Sequence, residues 1–236
     1  MASIKDDNGH NQGFELVEST VVRMKRRADL MIAAMDDANN KSILEIGCGT
    51  GEVAYWIAEK VKSNVLGTDI CVPFVAGANA KYKLPNLSYE VLDFNNAEHL
   101  KGRTFDYIIG NGILHHLYYN LNAALTTLKD LLKNNGKIIF MEPNIYNPYI
   151  ASIFKIKLLR KIANLEPDEM AFSKSFIIQA LEKVGFKNCK VDYKDFLLPG
   201  IPSFLIKPSI AIGDVAEKTP LVKNISQSIF IIASKN

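Results

Sequence analysis

Apolar positions along this chain follow two alternating rhythms. Ser42 to Ile46 is a short continuous apolar run suited to a buried strand, and Val53, Ile57 and Val61, with Ala54 and Ala58 beside them, then recur at helical spacing. The pairing repeats downstream. Asn64 to Ile70 reads as a second buried strand, followed by an alanine-rich helix from about Pro73 to Tyr82. Pro85 and Asn86 break the chain before a third strand, Leu87 to Leu92. Phe105 to Asn111 is a fourth. Asn120 then offers an N-cap, Leu121, Leu125, Leu128 and Leu132 form a helix stripe, and Asn135-Gly136 stops it ahead of a fifth strand, Lys137 to Met141. Strands that alternate with helices in this way build a parallel sheet covered on both faces, so the fold class is α/β, doubly wound.

The flanks depart from this rhythm. Phe14 to Met35 carries a helical stripe of Leu16, Val17, Val21, Met24, Ala28, Met31 and Met35, with Arg23, Lys25, Arg26 and Arg27 clustered in its middle. Asn39 and Asn40 end it. Met1 to Gly13 is polar and reads as a flexible tail, without the basic start and apolar run of a signal peptide. Asn144 to Leu165 mixes Lys155, Lys157, Arg160 and Lys161 with many apolar residues and no acid, an inserted helical lid with some basic exposure. Ser173 or Ser175 caps a helix that runs through Val184 to Gly185, and Phe186 to Lys194 alternates as a half-exposed strand. Ser228 to Ala233 is a closing buried strand. The expected organisation is one domain over residues 14–236 with insertions at about 144–170 and 196–227.

The first strand ends at Glu45-Ile-Gly-Cys-Gly-Thr-Gly51, a turn that only glycines tolerate, with a helix starting at once. This is the layout of a nucleotide-cofactor site. A dinucleotide fingerprint needs its third glycine three residues after the second, and that position is Glu52. Glu45, just before the glycines, would repel a pyrophosphate but suits a ligand that carries an ammonium and a sulfonium charge. S-adenosylmethionine fits both facts.

The stretch from Glu45 to Gly51 resembles the first motif of class I S-adenosylmethionine-dependent methyltransferases, in a matching strand and helix setting. The resemblance covers about Lys41 to Lys194 and the last strand, and it implies a Rossmann-like sheet whose final strand is antiparallel. It also implies roles. Glu45, Gly47, Cys48, Gly49 and Gly51 would line the cofactor; Asp69, with Ile70 after it, would accept both ribose hydroxyls; Asp93 would bond the adenine amino group, with Phe94 over the ring. Asn111, at the end of the fourth strand, completes the cofactor set. A helix ahead of the first strand often closes over the cofactor in this family, so an arginine of the 23–27 cluster would meet the methionine carboxylate; the alternative is a solvated basic face. The general layout is similar to ubiquinone and menaquinone biosynthesis methyltransferases.

Chemistry is expected after the fourth strand, at Gly112-Ile-Leu-His-His-Leu117. A sulfonium already activates the methyl group, so a general base is needed only where the nucleophile must lose a proton. His115 and His116 are the candidates for it, since imidazole titrates near neutrality; packing and loop roles are the competing account of the pair. The histidines at 10, 99, 115 and 116 show no ligand spacing, so no metal is expected. Tyr118, Tyr119, Tyr146 and Tyr149 are candidates to line a substrate site.

Composition narrows the partners. In 236 residues, 28 basic side chains against 25 acidic ones give a charge of +3, too small to call for a polyanion, and no Asn-Pro-Pro-Tyr type motif or basic domain marks a nucleic-acid substrate. Three scattered cysteines, Cys48, Cys71 and Cys189, form no disulfide framework and suit a reducing, cytoplasmic setting. Phe196 to Ile212 is apolar but broken by Pro199, Pro202 and Pro208, too interrupted to span a bilayer, and leaves room for peripheral membrane contact or a greasy pocket wall. The reading is a methyltransferase for a small molecule, apolar or lipid-linked. The rivals are an RNA or protein methyltransferase and a binding protein that holds adenosylmethionine, or its product adenosylhomocysteine, without catalysis.

Overall fold

The structure is a computed structural model and describes residues 17–94, 100–163, 165 and 169–236. The expected N-terminal tail, and His10 and His99, lie outside these residues. Among the described residues, seven strands form one sheet in the order β3-β2-β1-β4-β5-β7-β6. They are β1 (Ser42–Ile46), β2 (Asn64–Asp69), β3 (Leu87–Val91), β4 (Phe105–Asn111), β5 (Leu132–Pro143), β6 (Lys187–Lys194) and β7 (Ser228–Ser234). The first five are parallel, whereas β7 runs antiparallel to both β5 and β6. The fold is therefore the expected doubly wound sheet with an antiparallel last strand.

Alternation along the strands sorts the core into two layers. Ile43, Val65, Tyr107, Ile109 and Met141 face one side, where they meet α1 (Glu18–Ala34) through Met24, Ala28 and Met31 and α2 (Glu52–Lys60) through Val53 and Ile57. The helix α3 (Val72–Lys81) closes the same layer with Val75 and Ala78. Leu44, Ile46, Ile108, Ile138 and Ile231 face the other side, under α4 (Leu121–Leu131) and, beyond it, a later helix. Two further helices, α5 (Pro148–Lys155) and α6 (Lys157–Ile162), follow β5. The later helix is α7 (Lys174–Val184), capped by the Ser173 hydroxyl, which accepts from the Phe176 N–H at 3.2 Å. The residue Gly185 ends it in the left-handed region.

Three local expectations need correction. The α4 stripe ends at Leu131, and Leu132 already pairs with Phe105 as the first residue of β5. The turn signal at Asn135-Gly136 is real, but it marks an irregularity inside the strand: the register shifts between Phe105 and Tyr107, and Asn135 has a φ of 62°. The residue Asn120 stands at the N-cap of α4 without a side-chain cap bond, because a 3-10 segment, Leu114–Asn120, runs directly into the helix. The proline-broken stretch folds as the helix α8 (Ser203–Ala216), with Pro208 inside it. The carbonyl that loses its donor there belongs to Phe204, an exposed residue that water can reach. This helix buries Ile206 and leaves Phe204, Ile212 and Val215 in solvent. Among the described residues no helix is long and apolar enough to cross a membrane.

Candidate functional site

The ends of β1 and β4 lie side by side at the point where strand order reverses, the crevice in which an open α/β sheet receives ligands. Two turns meet there, Gly47–Gly51 after β1 and Gly112–Leu114 after β4. The three glycines of the first turn all have positive φ, but for different reasons. A Cβ on Gly47 would meet Ile113 at 2.6 Å, and one on Gly51 would meet Ala78 and Tyr89 at 2.8 Å, so both positions are bare for packing. A Cβ on Gly49 would meet nothing within 4 Å. That glycine bares its backbone to open space, as a close-fitting ligand requires.

Glu45 is 1% exposed, and its Oε2 atom is buried with no hydrogen-bond partner. Burial, and after it the charges of Asp69 and Glu52, raises its carboxyl well above the ordinary range, against one hydrogen bond from the Ala54 backbone. A buried acceptor without a donor is costly, and an ammonium group would supply what it lacks. The Asp69 carboxylate spans the end of β2, accepting the Gly49 N–H at 2.8 Å and the Cys71 N–H at 2.9 Å. It thereby fixes the glycine turn. Ile70 follows it. The third strand brings Asp93 to the surface next to β2, where the Leu92 N–H reaches the Asp69 carbonyl at 2.9 Å, and Phe94 packs half-buried on the core. The Cys48 thiol is buried and its pKa is pushed up, by burial first and then by Glu45 and Asp69, which makes it inert.

The side chain Glu52 is where a dinucleotide site would have its third glycine. It is buried at the start of α2 and accepts the Tyr82 hydroxyl at 2.9 Å and the Lys81 ammonium at 3.3 Å. A carboxylate therefore stands in the first turn of the helix whose N-terminus a pyrophosphate would use.

Sequence reasoning missed the partners of the histidine turn. Glu142, at the end of β5, is fully buried and gathers the turn onto itself. Its Oε1 accepts the N–H groups of Ile113 at 3.0 Å and Leu114 at 2.9 Å; its Oε2 accepts the His115 N–H at 3.2 Å and lies 2.9 Å from His115 Nδ1. A buried carboxylate at that nitrogen favours the Nδ1–H tautomer and leaves the Nε2 lone pair on the other edge of the ring. The segment after β5 supplies a second acid, Glu169, 3.9 Å from His115 Nε2 and 3.2 Å from His116 Nδ1. It also sets Phe154 edge-on to the His115 ring, and Arg160 ties it together by donating to the Phe154 carbonyl at 3.0 Å and the Glu169 carbonyl at 3.2 Å. No signal in the chain pairs Glu142 or Glu169 with the histidines, because the contacts span 27 and 53 residues.

The arginine cluster of α1 is tied down as well. Arg23 and Arg27 both hold Asp195, the latter at 2.6 Å, and Arg26 reaches Asp214 at 2.6 Å. Arg27 also donates to Asn111 Oδ1 and to the Ser228 hydroxyl, each at 2.7 Å. Burial, with the neighbouring Arg23 charge, lowers its pKa to about 10. Burial raises the Asp195 carboxyl, but the two arginines outweigh it and hold its pKa below the usual value. The cluster thus links the end of β4 to the chain beyond β6. Of the tyrosines, Tyr118 stacks on Phe172 and Phe176, while Tyr119, Tyr146 and Tyr149 are exposed.

Residues 22–191 match the family described as "Methyltransferase domain". This chain belongs to that methyltransferase family. The orphaned Glu45 oxygen and the open Gly49 face are what a charged, close-fitting cofactor would need. The methyltransferase shares 26% identity over 169 residues with Probable polyketide synthase 42 of Dictyostelium discoideum, a match that covers 62% of this chain and 6% of that protein. It therefore spans a small part of that relative's length. Among solved structures, a Haloferax volcanii methyltransferase in complex with the Trm112 activator superposes with a TM-score of 0.67 at 16% identity, over 99% of this chain and 95% of that one. The CurJ carbon methyltransferase gives 0.62 at 18% identity, over 98% and 58%. Magnesium protoporphyrin IX methyltransferase from Synechocystis, solved with bound S-adenosylhomocysteine, gives 0.63 at 15%, over 100% and 96%. At these identities the likeness is one of fold.

Proposed function

We propose that this methyltransferase acts on a small molecule whose reacting atom must lose a proton, most simply an acidic carbon flanked by carbonyl groups, with His115 as the base. The observation that carries the reading is the buried Glu142 carboxylate 2.9 Å from His115 Nδ1. A methyl transfer to a lone-pair amine needs no such pair; an acceptor that carries its proton into the reaction does. The relatives' printed names support the acceptor class, since one is a polyketide synthase and another a carbon methyltransferase.

The cofactor supplies a methyl group on a sulfonium, with a neutral thioether as leaving group. Glu45 would hold its ammonium, Gly49 would allow its close backbone approach, Asp69 would accept its ribose hydroxyls, and Asp93 and Phe94 would hold its adenine. Asn111, held by Arg27, stands at the rim of the same crevice. His115 Nε2 would take the acceptor's proton, which leaves the acceptor's electron pair available for the methyl group that the bound cofactor would supply. The imidazolium that results lies between the Glu142 and Glu169 carboxylates, which stabilise it. Three free cysteines, two of them buried, accord with a reducing compartment such as the cytoplasm.

The test is labelled S-adenosylmethionine with a panel of β-ketoacyl thioesters, phenols and amines, read by product mass. Transfer to the enolisable carbon, lost about 100-fold in His115→Ala with S-adenosylhomocysteine affinity intact, is the expected result. Transfer to amines alone, or full turnover in His115→Ala, overturns it.

A further inference from the structure

Glu169 comes from the insertion rather than from the sheet, and its carboxylate is 3% exposed. Its two oxygens address two imidazoles, Oε1 at 3.2 Å from His116 Nδ1 and Oε2 at 3.9 Å from His115 Nε2. The three groups each offer a ligand atom, and these atoms all lie within 4.8 Å of one another. We propose that His115, His116 and Glu169 bind one divalent transition-metal ion of the zinc class.

Donor chemistry selects the ion. Two imidazole nitrogens and one carboxylate oxygen suit zinc, cobalt or ferrous iron, whereas magnesium and calcium prefer oxygen shells. Geometry is close to what such an ion needs. Ligands about 2.0–2.2 Å from a tetrahedral centre stand roughly 3.3–3.6 Å apart; Glu169 reaches the two imidazoles through different oxygens at 3.2 and 3.9 Å, and the three ligand atoms lie within 4.8 Å of one another, so small side-chain rotations would close them on an ion. The support behind the ligands is present too. Glu142 holds His115 Nδ1 at 2.9 Å, the carboxylate–histidine arrangement that orients a metal-binding imidazole and raises its basicity. The Met170 N–H donates to the His115 carbonyl at 3.3 Å, which fastens the residue after Glu169 to the histidine turn. Chain spacing gave no hint of a metal, because the third ligand lies 53 residues beyond His116.

The ion would occupy the same Nε2 lone pair that the proposed base uses. On that reading metal binding and proton transfer exclude each other, so the ion switches the enzyme off and a chelator switches it on.

The experiment uses the tag-free, chelator-stripped full chain. Cobalt is titrated by visible absorption and zinc by calorimetry, in the wild type and in His116→Ala, Glu169→Gln and Glu142→Gln. Retained thermal melts and S-adenosylhomocysteine binding show that each variant is folded. We expect one ion per chain, affinity lower by 100-fold or more when His116 or Glu169 is replaced, and about 10–100-fold lower without the Glu142 charge. No saturable binding to the wild type, or binding unchanged in both His116→Ala and Glu169→Gln, overturns the site. Tight binding of zinc that leaves methyl transfer untouched upholds the site and removes His115 as the base, so the two readings fail separately.

Discussion

Replacing Glu45 by Gln removes an ionisable carboxyl from a place that burial has made expensive for charge. In the free protein its carboxyl is held well above the ordinary range, by burial first and then by Asp69 and Glu52. The folded value exceeds the unfolded one, so the native chain keeps a proton that the unfolded chain gives up. This carboxyl therefore makes free-protein stability fall as pH rises from the unfolded value toward the folded one. An ammonium group set against Oε2 reverses the preference, and the carboxyl ionises as the ligand binds. Association with S-adenosylhomocysteine should then release up to one proton and strengthen by up to tenfold, about 1.4 kcal/mol, for each pH unit over which the free carboxyl stays protonated. Calorimetry in two buffers of different ionisation heat, repeated between about pH 6 and 8, counts that proton. In Glu45→Gln the release should vanish and the pH dependence flatten. The affinity at the upper end should drop about tenfold to a hundredfold, the ~1.5–3 kcal/mol of a hydrogen bond to a charged group. A Gln variant that binds as tightly and releases the same proton would refute the placement of the ammonium against Glu45.

Asp69→Ala removes the acceptor that fixes the Gly49 N–H and should weaken S-adenosylhomocysteine binding about tenfold to a hundredfold, read by the same titration. Gly49→Ala and Gly47→Ala should separate: the first fills open space and loses cofactor affinity with a modest change in melting temperature, whereas the second collides with Ile113 and loses stability. Equal melting curves for the two would contradict that division. Asp195→Ala leaves Arg23 and Arg27 without their carboxylate and should cost about 3–5 kcal/mol in urea unfolding at neutral pH. Because the Asp195 pKa is depressed, that contribution is present above its unfolded value and fades as pH falls through the folded one, so the gap between variant and wild type should narrow in acid.

What the sequence disclosed and what it hid divide along one physical line. Strands β1 to β4, the glycine turn and Asp69 were legible because each rests on residues a few positions apart, where periodicity and backbone sterics act directly. The antiparallel edge came from family resemblance, since two late strands without a helix between them have no local mark of their order. The start of β5 was misplaced because Asn135-Gly136 carries the same turn chemistry whether it ends a helix or kinks a strand. The α8 helix was hidden by Pro208, whose cost is small where the freed carbonyl faces water. At the site, His115 was visible as a candidate, but its acids were not. Glu142 and Glu169 reach it only through the sheet's crossover and the insertion's return, and a single sequence carries no record of either contact.

Arg27 and Asp195 are 168 residues apart in the chain, and Arg27 and Ser228 are 201 apart. A ribosome releases α1 long before either partner exists. Until then Arg27 has no carboxylate to meet, and burying it alone against the sheet would strand a charge. Its docking is thus deferred until Asp195 and β7 have been made, after the parallel half of the sheet has had time to form. The tie adds to the distant contacts of the sheet, and contacts between residues far apart in the chain slow folding. Shortening the wait, by moving the α1 segment behind β7 in a circularly permuted chain, should speed the final folding phase without altering the turns that meet at the crevice.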